Sequence, residues 1–499
     1  MSDAIEQLRA RLAELADLEN TAHLLQWDQQ TMMPPRGASG RAEARATLER
    51  ISHDMFVSAE TGRLLEAAAA ALDGSPNSDE ASLVRVTRRR WEKARRVPSE
   101  LAADLARAAA VGQEAWVQAR ANSDFAAFAP YLERNIELAR LYVECFDDFE
   151  CAYDTLLDDY EPGMRSAEVG ALFAELKGEL VPLIAKLCES SDRVDDRCLH
   201  GSFPIDRQRQ LVAEVVERMG FDPSAWRIDD AVHPFAVGLG ASDVRITTRW
   251  DETYFATGLY GAMHECGHGL YEAGIAPALA RTPLEHGESL GLHESQSRLW
   301  ENVVGRGRPF SGVLAPRVAT LFGMELDQDT LYRAVNRVDP SFIRVEADEA
   351  TYGLHIVLRF ELEQEVVEGR LAVQDLPEAW NSRFEQYLGL KVPDDAQGVL
   401  QDVHWSAGLI GYFPTYAIGN LIAGQLWERA HAEMPDLDER IAAGELGALR
   451  GWLRKHVHRH GAKFSASELL QREVEAPILV RPFTGYLKRK LSDVYGLDL

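Results

Sequence analysis

The sequence predicts a mainly helical, all-α protein interrupted by one small β-hairpin. Apolar residues recur at threes and fours through most of the chain, the period of helices with one buried face. One segment departs from this, HPFAVGLGASDVRITTRW at 233–250. There β-branched and polar residues alternate after Gly238 and Gly240, the pattern of a hairpin. No repeat, low-complexity tract or linker breaks the pattern, so residues 1–499 read as one continuous body.

The elements follow in order. The N-terminal stretch MSDAIEQLRARLAELADLE is charged and amphipathic, unlike the basic-then-apolar run of a secretory signal. A helix ends at Pro34-Pro35, and Trp27 just before it reads as core. The alanine-rich runs LLEAAAAAL and LAADLARAAAVGQEAW are strong helix formers. From Pro130, the stripe Leu132, Ile136, Ala139, Val143, Phe146, Phe149, Tyr153 and Leu156 predicts a helical core face ending near DDYEPG. Near the C-terminus, His456, His458 and His460 alternate with Arg454, Lys455 and Arg459. This run reads as a helical, solvated basic patch, because neighbouring positive charge opposes metal binding.

Composition excludes several function classes. A formal charge of −26 argues against a nucleic-acid or anionic-membrane partner, since both demand basic patches. No stretch approaches the roughly 18 apolar residues a membrane span needs. Five cysteines, an odd number without paired spacing, fit a reduced, cytoplasmic setting and not a thiolate zinc site.

The chemistry concentrates in His264-Glu265-Cys266-Gly267-His268. Residues i and i+4 stack on one helical face, so both imidazoles can reach one ion. Glu265 lies about 100° round the helix, placed to handle a water and not to ligate beside the histidines. A catalytic zinc takes three protein ligands and keeps a position open. Glu272 cannot be the third, because side chains at i, i+4 and i+8 span about 12 Å. The third ligand must come from another element. HGESLGLHESQSRLWENVVG, 286–305, offers Glu288, His293, Glu294 and Glu301, and from Glu294 onward it reads as a second helix beside the first. His293 and Glu294 point in different directions, so only one of them faces the ion.

Taken together, the motifs resemble the carboxypeptidase Taq family of metallocarboxypeptidases. The resemblance rests on six segments in order: HPF (233–235), DVRIT (243–247), HECGH (264–268), HESQ (293–296), IRVEAD (343–348) and GVLQDVHW (398–405). It implies a single catalytic domain of two helical lobes around a deep central cleft, with the β-element at the active-site rim, and a homodimer. It also implies that Glu294 completes the metal site with His264 and His268. The implied metal is zinc, cobalt being possible, one per chain. The implied reaction is release of single C-terminal residues from a peptide substrate, with broad tolerance except for proline.

Within that expectation Glu265 is the general base. His404, Tyr412 and Tyr416 are candidate oxyanion donors, similar in order and approximate spacing to the His and Tyr donors of the angiotensin-converting enzyme class. Asp348 is a candidate partner for the second N–H of a metal-binding histidine. Arg245 and Arg344 are candidate readers of the substrate carboxylate, since a planar fork forms two parallel charge-assisted bonds. Structurally they would pair instead with Asp243, and with Glu346 or Asp348. The rival functions are a zinc endopeptidase or oligopeptidase, which needs no cation for a terminal carboxylate, and a helical scaffold without activity, against which the intact Glu265 argues.

Overall fold

The computed structural model describes residues 3–499. Helices dominate from the 29-residue Asp3–Thr31 helix to the Arg481–Tyr495 helix, as the periodicity predicts. None of them is long and apolar enough to cross a membrane. All five cysteines are free.

The β-element is larger than a hairpin. Strands β1 (Trp226–Asp230), β2 (Ala236–Gly238) and β3 (Val244–Thr248) form one sheet in the order β1-β3-β2. Strands β2 and β3 are the expected antiparallel hairpin, turned at Gly240 with φ +114°, a conformation glycine adopts without cost. Strand β1 was not expected. WRIDD is short and ends in two aspartates, so it shows too few alternations to signal a strand, yet it pairs parallel to β3. The stripe from Leu132 to Leu156 also divides. One helix spans Phe125–Val143 and a second Ala152–Leu157. Asp147 and Asp148, poor helix formers, lie in the break and pair with Arg96.

Two helices form the centre. The motif helix, Ala256–Gly274, carries HECGH, and the crossing helix, Leu290–Arg298, carries HESQ. They touch backbone to backbone at Gly267, where an added Cβ would lie 2.7 Å from Ser297 Cα and 2.8 Å from the Gln296 carbonyl oxygen. A third helix, Pro414–Glu433, backs the crossing helix at Gly419, where a Cβ would lie 2.8 Å from Glu294 Cβ and Cγ. The glycines therefore set how closely the segments carrying HECGH and HESQ approach.

Gly267→Ala should lower stability by about 1–3 kcal/mol, the cost of overpacking a filled interior. Thermal melting checks this, and a variant melting like wild type would contradict the close approach.

Candidate metal centre

The motif helix aims His264 and His268 the same way, one turn apart. Their Nε2 atoms lie 3.6 and 3.4 Å from Glu294 Oε2. The three donor atoms all fall within 4.8 Å of one another. Two imidazoles and a carboxylate form a donor set suited to zinc with one position left open, so the residues fit a catalytic ion. The other acids and histidine of 286–305 have different places. Glu288 pairs with Arg89 and Arg90 at 2.6 and 2.5 Å. Glu301, in the π-helix Leu299–Gly305, accepts from His264 Nδ1 at 2.9 Å. His293 turns behind His268, Nδ1 to Nδ1 at 2.6 Å.

Asp348, expected behind a metal-binding histidine, is elsewhere. It accepts the Ala350 and Thr351 backbone N–H groups at 2.9 and 3.0 Å and so shapes the turn into the Tyr352–Val367 helix. Glu301 and His293 occupy the positions it was expected to fill.

Buried charge surrounds the trio. Arg298 Nε donates to Glu294 Oε1 at 2.7 Å, and its guanidinium lies 4.2 Å over the Tyr352 ring. Burial disfavours charge on His264, but Glu294 and Glu301 outweigh it and raise its pKa to about 9. Burial lowers His268 to about 4 despite its bond to Glu294. Glu265, 6% exposed, is pushed up to about 7, chiefly by burial.

A second wall gathers the downstream motifs. His404 Nε2 and the Tyr416 hydroxyl are 3.2 Å apart. The Tyr412 ring lies 5.4 Å from that of Tyr416 and 5.3 Å from His404. Neither tyrosine is core; both are half-buried. Burial first, then Arg344 and Arg359 against the opposing Asp402, lowers His404 to about 4, so the imidazole is neutral at pH 7. Arg344 pairs with neither Glu346 nor Asp348. Its Nε and Nη2 donate to Asp402 Oδ1 at 3.0 and 2.8 Å, and Nη1 donates to the Tyr352 hydroxyl at 3.0 Å. Asp402, four residues before Ser406 and two before His404, also holds Arg359 at 2.7 Å. Sequence reasoning passed over Asp402, Arg298 and Tyr352, although Asp402 lies inside GVLQDVHW and Arg298 is four residues after Glu294.

Arg245 sits apart from that wall. Its fork is held by Asp243 at 2.9 Å through both Nε and Nη2, and it lies 4.3 Å over Trp27. Trp27 is buried as expected, but it also carries Arg227 at 4.7 Å and so joins the N-terminal helix to the sheet. Beside this contact a cavity is lined by His23, Trp27, Ala236, Gly238, Glu272 and His286. Strand β2 presents its free edge there. Thr247 N–H bonds the Phe235 carbonyl and Leu239 N–H the Asp243 carbonyl. In an antiparallel ladder residues alternate, so Ala236 and Gly238 turn their N–H and C=O groups outward.

The histidines at 456–460 are not a solvated patch. The chain kinks after the Gly447–His456 helix, with Gly461 at φ +50°, and turns the rings inward. His458 is 1% exposed and pairs through Nε2 with Gln296 Oε1 at 2.8 Å, bracing HESQ. His456 pairs with Glu473 at 2.7 Å.

A family model described as Carboxypeptidase Taq (M32) metallopeptidase matches residues 7–491. The chain is 41% identical over 495 residues to Thermostable carboxypeptidase 1 of Thermus thermophilus, 97% of each chain being covered. It is 34% identical over 493 residues to Thermostable carboxypeptidase 1 of Pyrococcus furiosus, covering 98% of each. The crystal structure of M32 carboxypeptidase from Deinococcus radiodurans R1 superposes with a TM-score of 0.95 at 39% identity, over 99% of this chain and 100% of that one.

The pKa values of the two histidines carry a test. His264 holds a proton up to about pH 9 in the metal-free chain whereas His268 does not. A divalent ion taken up through His264 would have to displace that proton. Its affinity should therefore tighten about tenfold per pH unit between pH 7 and 8.5, the slope for one displaced proton. Chelator competition across that range checks it, and a flat profile would refute the displacement.

Proposed function

Because the chain belongs to the carboxypeptidase Taq (M32) family of metallopeptidases, we propose that it releases single residues from peptide C-termini at a His264–His268–Glu294 metal centre. It is a metallocarboxypeptidase, a hydrolase of peptide bonds that works with a divalent metal ion. The observation that carries the finer reading is the convergence of two imidazole Nε2 atoms on one oxygen of Glu294. Residues 1–499 act as one catalytic domain, with zinc as the ion, cobalt as its substitute, and one ion per chain.

When bound, such an ion supplies Lewis acidity that brings the pKa of a water toward 7. The chain does the rest. Glu265 Oε takes a proton from the water that attacks the last peptide carbonyl and returns it to the leaving amine nitrogen. Its carboxyl, raised to about 7 by burial, is suited to both transfers. The neutral His404 and the Tyr416 hydroxyl, with Tyr412 beside them, donate to the developing oxyanion. The substrate backbone lies extended along Ala236 and Gly238, whose outward groups add it to the sheet as a further strand. A terminal proline brings no N–H to such pairing, in keeping with broad release that excludes proline.

Arg344 is the better reader of the terminal carboxylate. It lies 4.9 Å over Tyr416 and shares Asp402 with Arg359, and Asp402 is 4.0 Å from His404 Nδ1. Arg245 is held by an acid as Arg344 is, but it lies over Trp27, away from the wall of His404 and Tyr416.

Three measurements test this reading. Glu294→Ala should lose its metal while Glu288→Ala, altering a separate ion pair, should keep it; metal analysis decides. Glu265→Gln should keep fold and metal but lose at least about 10²-fold in kcat, the low end for a positioned base. Amidating the C-terminus of a good peptide should cost about 2–5 kcal/mol in kcat/KM, the scale of a lost buried charge pair. Arg344→Ala should abolish the difference between free-acid and amidated forms. Equal cleavage of both forms by wild type would favour an endopeptidase.

A further inference from the structure

We propose that His293 and Glu272 act as positioning residues behind His268, an imidazole–carboxylate relay that fixes which nitrogen of His268 meets the metal and strengthens its grip. The inference rests on the reading of His264, His268 and Glu294 as ligands and adds two residues to it.

The links are all short. His268 Nδ1 lies 2.6 Å from His293 Nδ1, His293 Nε2 lies 2.8 Å from Glu272 Oε1, and Glu272 Oε2 lies 2.8 Å from His286 Nδ1. Two ring nitrogens at that separation share one proton, so one donates and the other accepts. His268 turns Nε2 toward Glu294 Oε2, and a ligating nitrogen must offer its lone pair. The remaining proton of a neutral His268 is then on Nδ1, which donates to His293 Nδ1. His293 accepts there, carries its own proton on Nε2, and donates to Glu272 Oε1. The carboxylate accepts without a proton, and its second oxygen takes the N–H of His286. Each proton has one place along the chain.

Glu272 follows His268 by one helical turn on the motif helix, within side-chain reach, yet its two oxygens are taken by His293 and His286 and no bond joins it to His268 directly. His293, from the start of the crossing helix, fills the gap. Its ring is held in place: Tyr271 lies 4.9 Å away, and Gly287 comes so close that a Cβ would sit 3.2 Å from His293 Cδ2. Strand β2 closes over the carboxylate at Gly238, where a Cβ would be 3.0 Å from Glu272 Oε2. The His264 side differs, since Glu301 reaches Nδ1 directly at 2.9 Å. Both imidazoles therefore end on a carboxylate, one directly and the other through a second ring. Glu272 is excluded as a ligand by its place on the helix, and this place gives its burial between two imidazoles a purpose.

The test uses the full-length enzyme, stripped of metal and reloaded with zinc or cobalt(II). Zinc affinity is measured by chelator competition, the cobalt form by its visible absorption, and the metal-free fold by thermal melting. Glu272→Gln preserves shape, and His293→Phe preserves ring and volume but removes both nitrogens. The expected result is a 10–100-fold loss of zinc affinity in His293→Phe, the scale for an outer-shell partner. Glu272→Gln should show a smaller loss in the same direction. Both should change the cobalt absorption, with the metal-free melting of Glu272→Gln close to wild type. Wild-type zinc affinity and an unaltered cobalt spectrum in Glu272→Gln would overturn the proposal. So would a lowered melting temperature in both variants with affinity and spectrum unchanged, since the residues would then serve only the fold. Glu294→Ala run in parallel separates the two readings. If it retains zinc, the ligand assignment fails; if it loses zinc while the relay variants bind normally, only the relay fails.

Discussion

The centre depends on keeping the carboxylate of Glu294 ionised inside the protein. A lone buried carboxylate costs several kcal/mol and would protonate instead. Burial does push Glu294 that way, but Arg298 first, and then His264 and His268, outweigh it and hold the carboxyl well below its usual range. The division of labour is geometric. Arg298 Nε takes Oε1 at 2.7 Å, which leaves Oε2 facing both imidazoles. Because Arg298 is four residues after Glu294 on one helix, a single turn supplies both the charge and its compensation. Tyr352, stacked on the guanidinium at 4.2 Å, keeps that arginine from swinging out of line.

The same economy continues past the crossing helix. Directly after Arg298 the backbone widens into a π-helix, Leu299–Gly305, a rare form that is frequent at functional sites. It brings Glu301 behind His264, so two acids seven residues apart grip opposite nitrogens of one ring, Glu294 near Nε2 and Glu301 at Nδ1. Arg306, 3.4 Å from Glu301, balances the second acid as Arg298 balances the first. The opposite wall repeats the pattern with reversed sign, Asp402 binding the two buried guanidiniums of Arg344 and Arg359.

What was legible in the sequence was whatever local periodicity carries. Helices, the β2–β3 hairpin and the shared face of His264 and His268 follow from spacings of four and two, which are local rules. Excluding Glu272 as a ligand was also a local argument, from helical rise. Which acid faces both imidazoles was not readable this way, because Glu288, His293, Glu294 and Glu301 all sit on or beside a plausible second element; family resemblance singled out Glu294, whose Oε2 lies opposite both rings. Charge partners were least legible. Arg344 was matched to the nearest acids in sequence and instead pairs with Asp402, 58 residues away. Asp348, assigned to a histidine, shapes a helix start. His458 looked like part of a charged surface because its neighbours are Lys and Arg, yet a kink at a left-handed glycine turns it inward onto Gln296. Side-chain pairing across tertiary distance has no period to read.

Electrostatic balance also explains why a chain of −26 can bury so many acids at one point. Glu265, Glu294 and Glu301 gather at one place, where Arg298 and Arg306 pair with the last two. In the metal-free chain His264 answers this by holding a proton up to about pH 9, while His268, with the Nδ1 of His293 behind it, stays neutral. The excess of carboxylate over arginine is therefore a cation-shaped demand, met by a proton on the ring that a carboxylate grips directly and met more fully by a dication. Unequal treatment of the two histidines would offer such an ion one imidazole already stripped of its proton and one proton to displace. The asymmetry comes from what stands behind each ring, a carboxylate or a second imidazole, and not from the two rings themselves, which the motif places on the helix as equals.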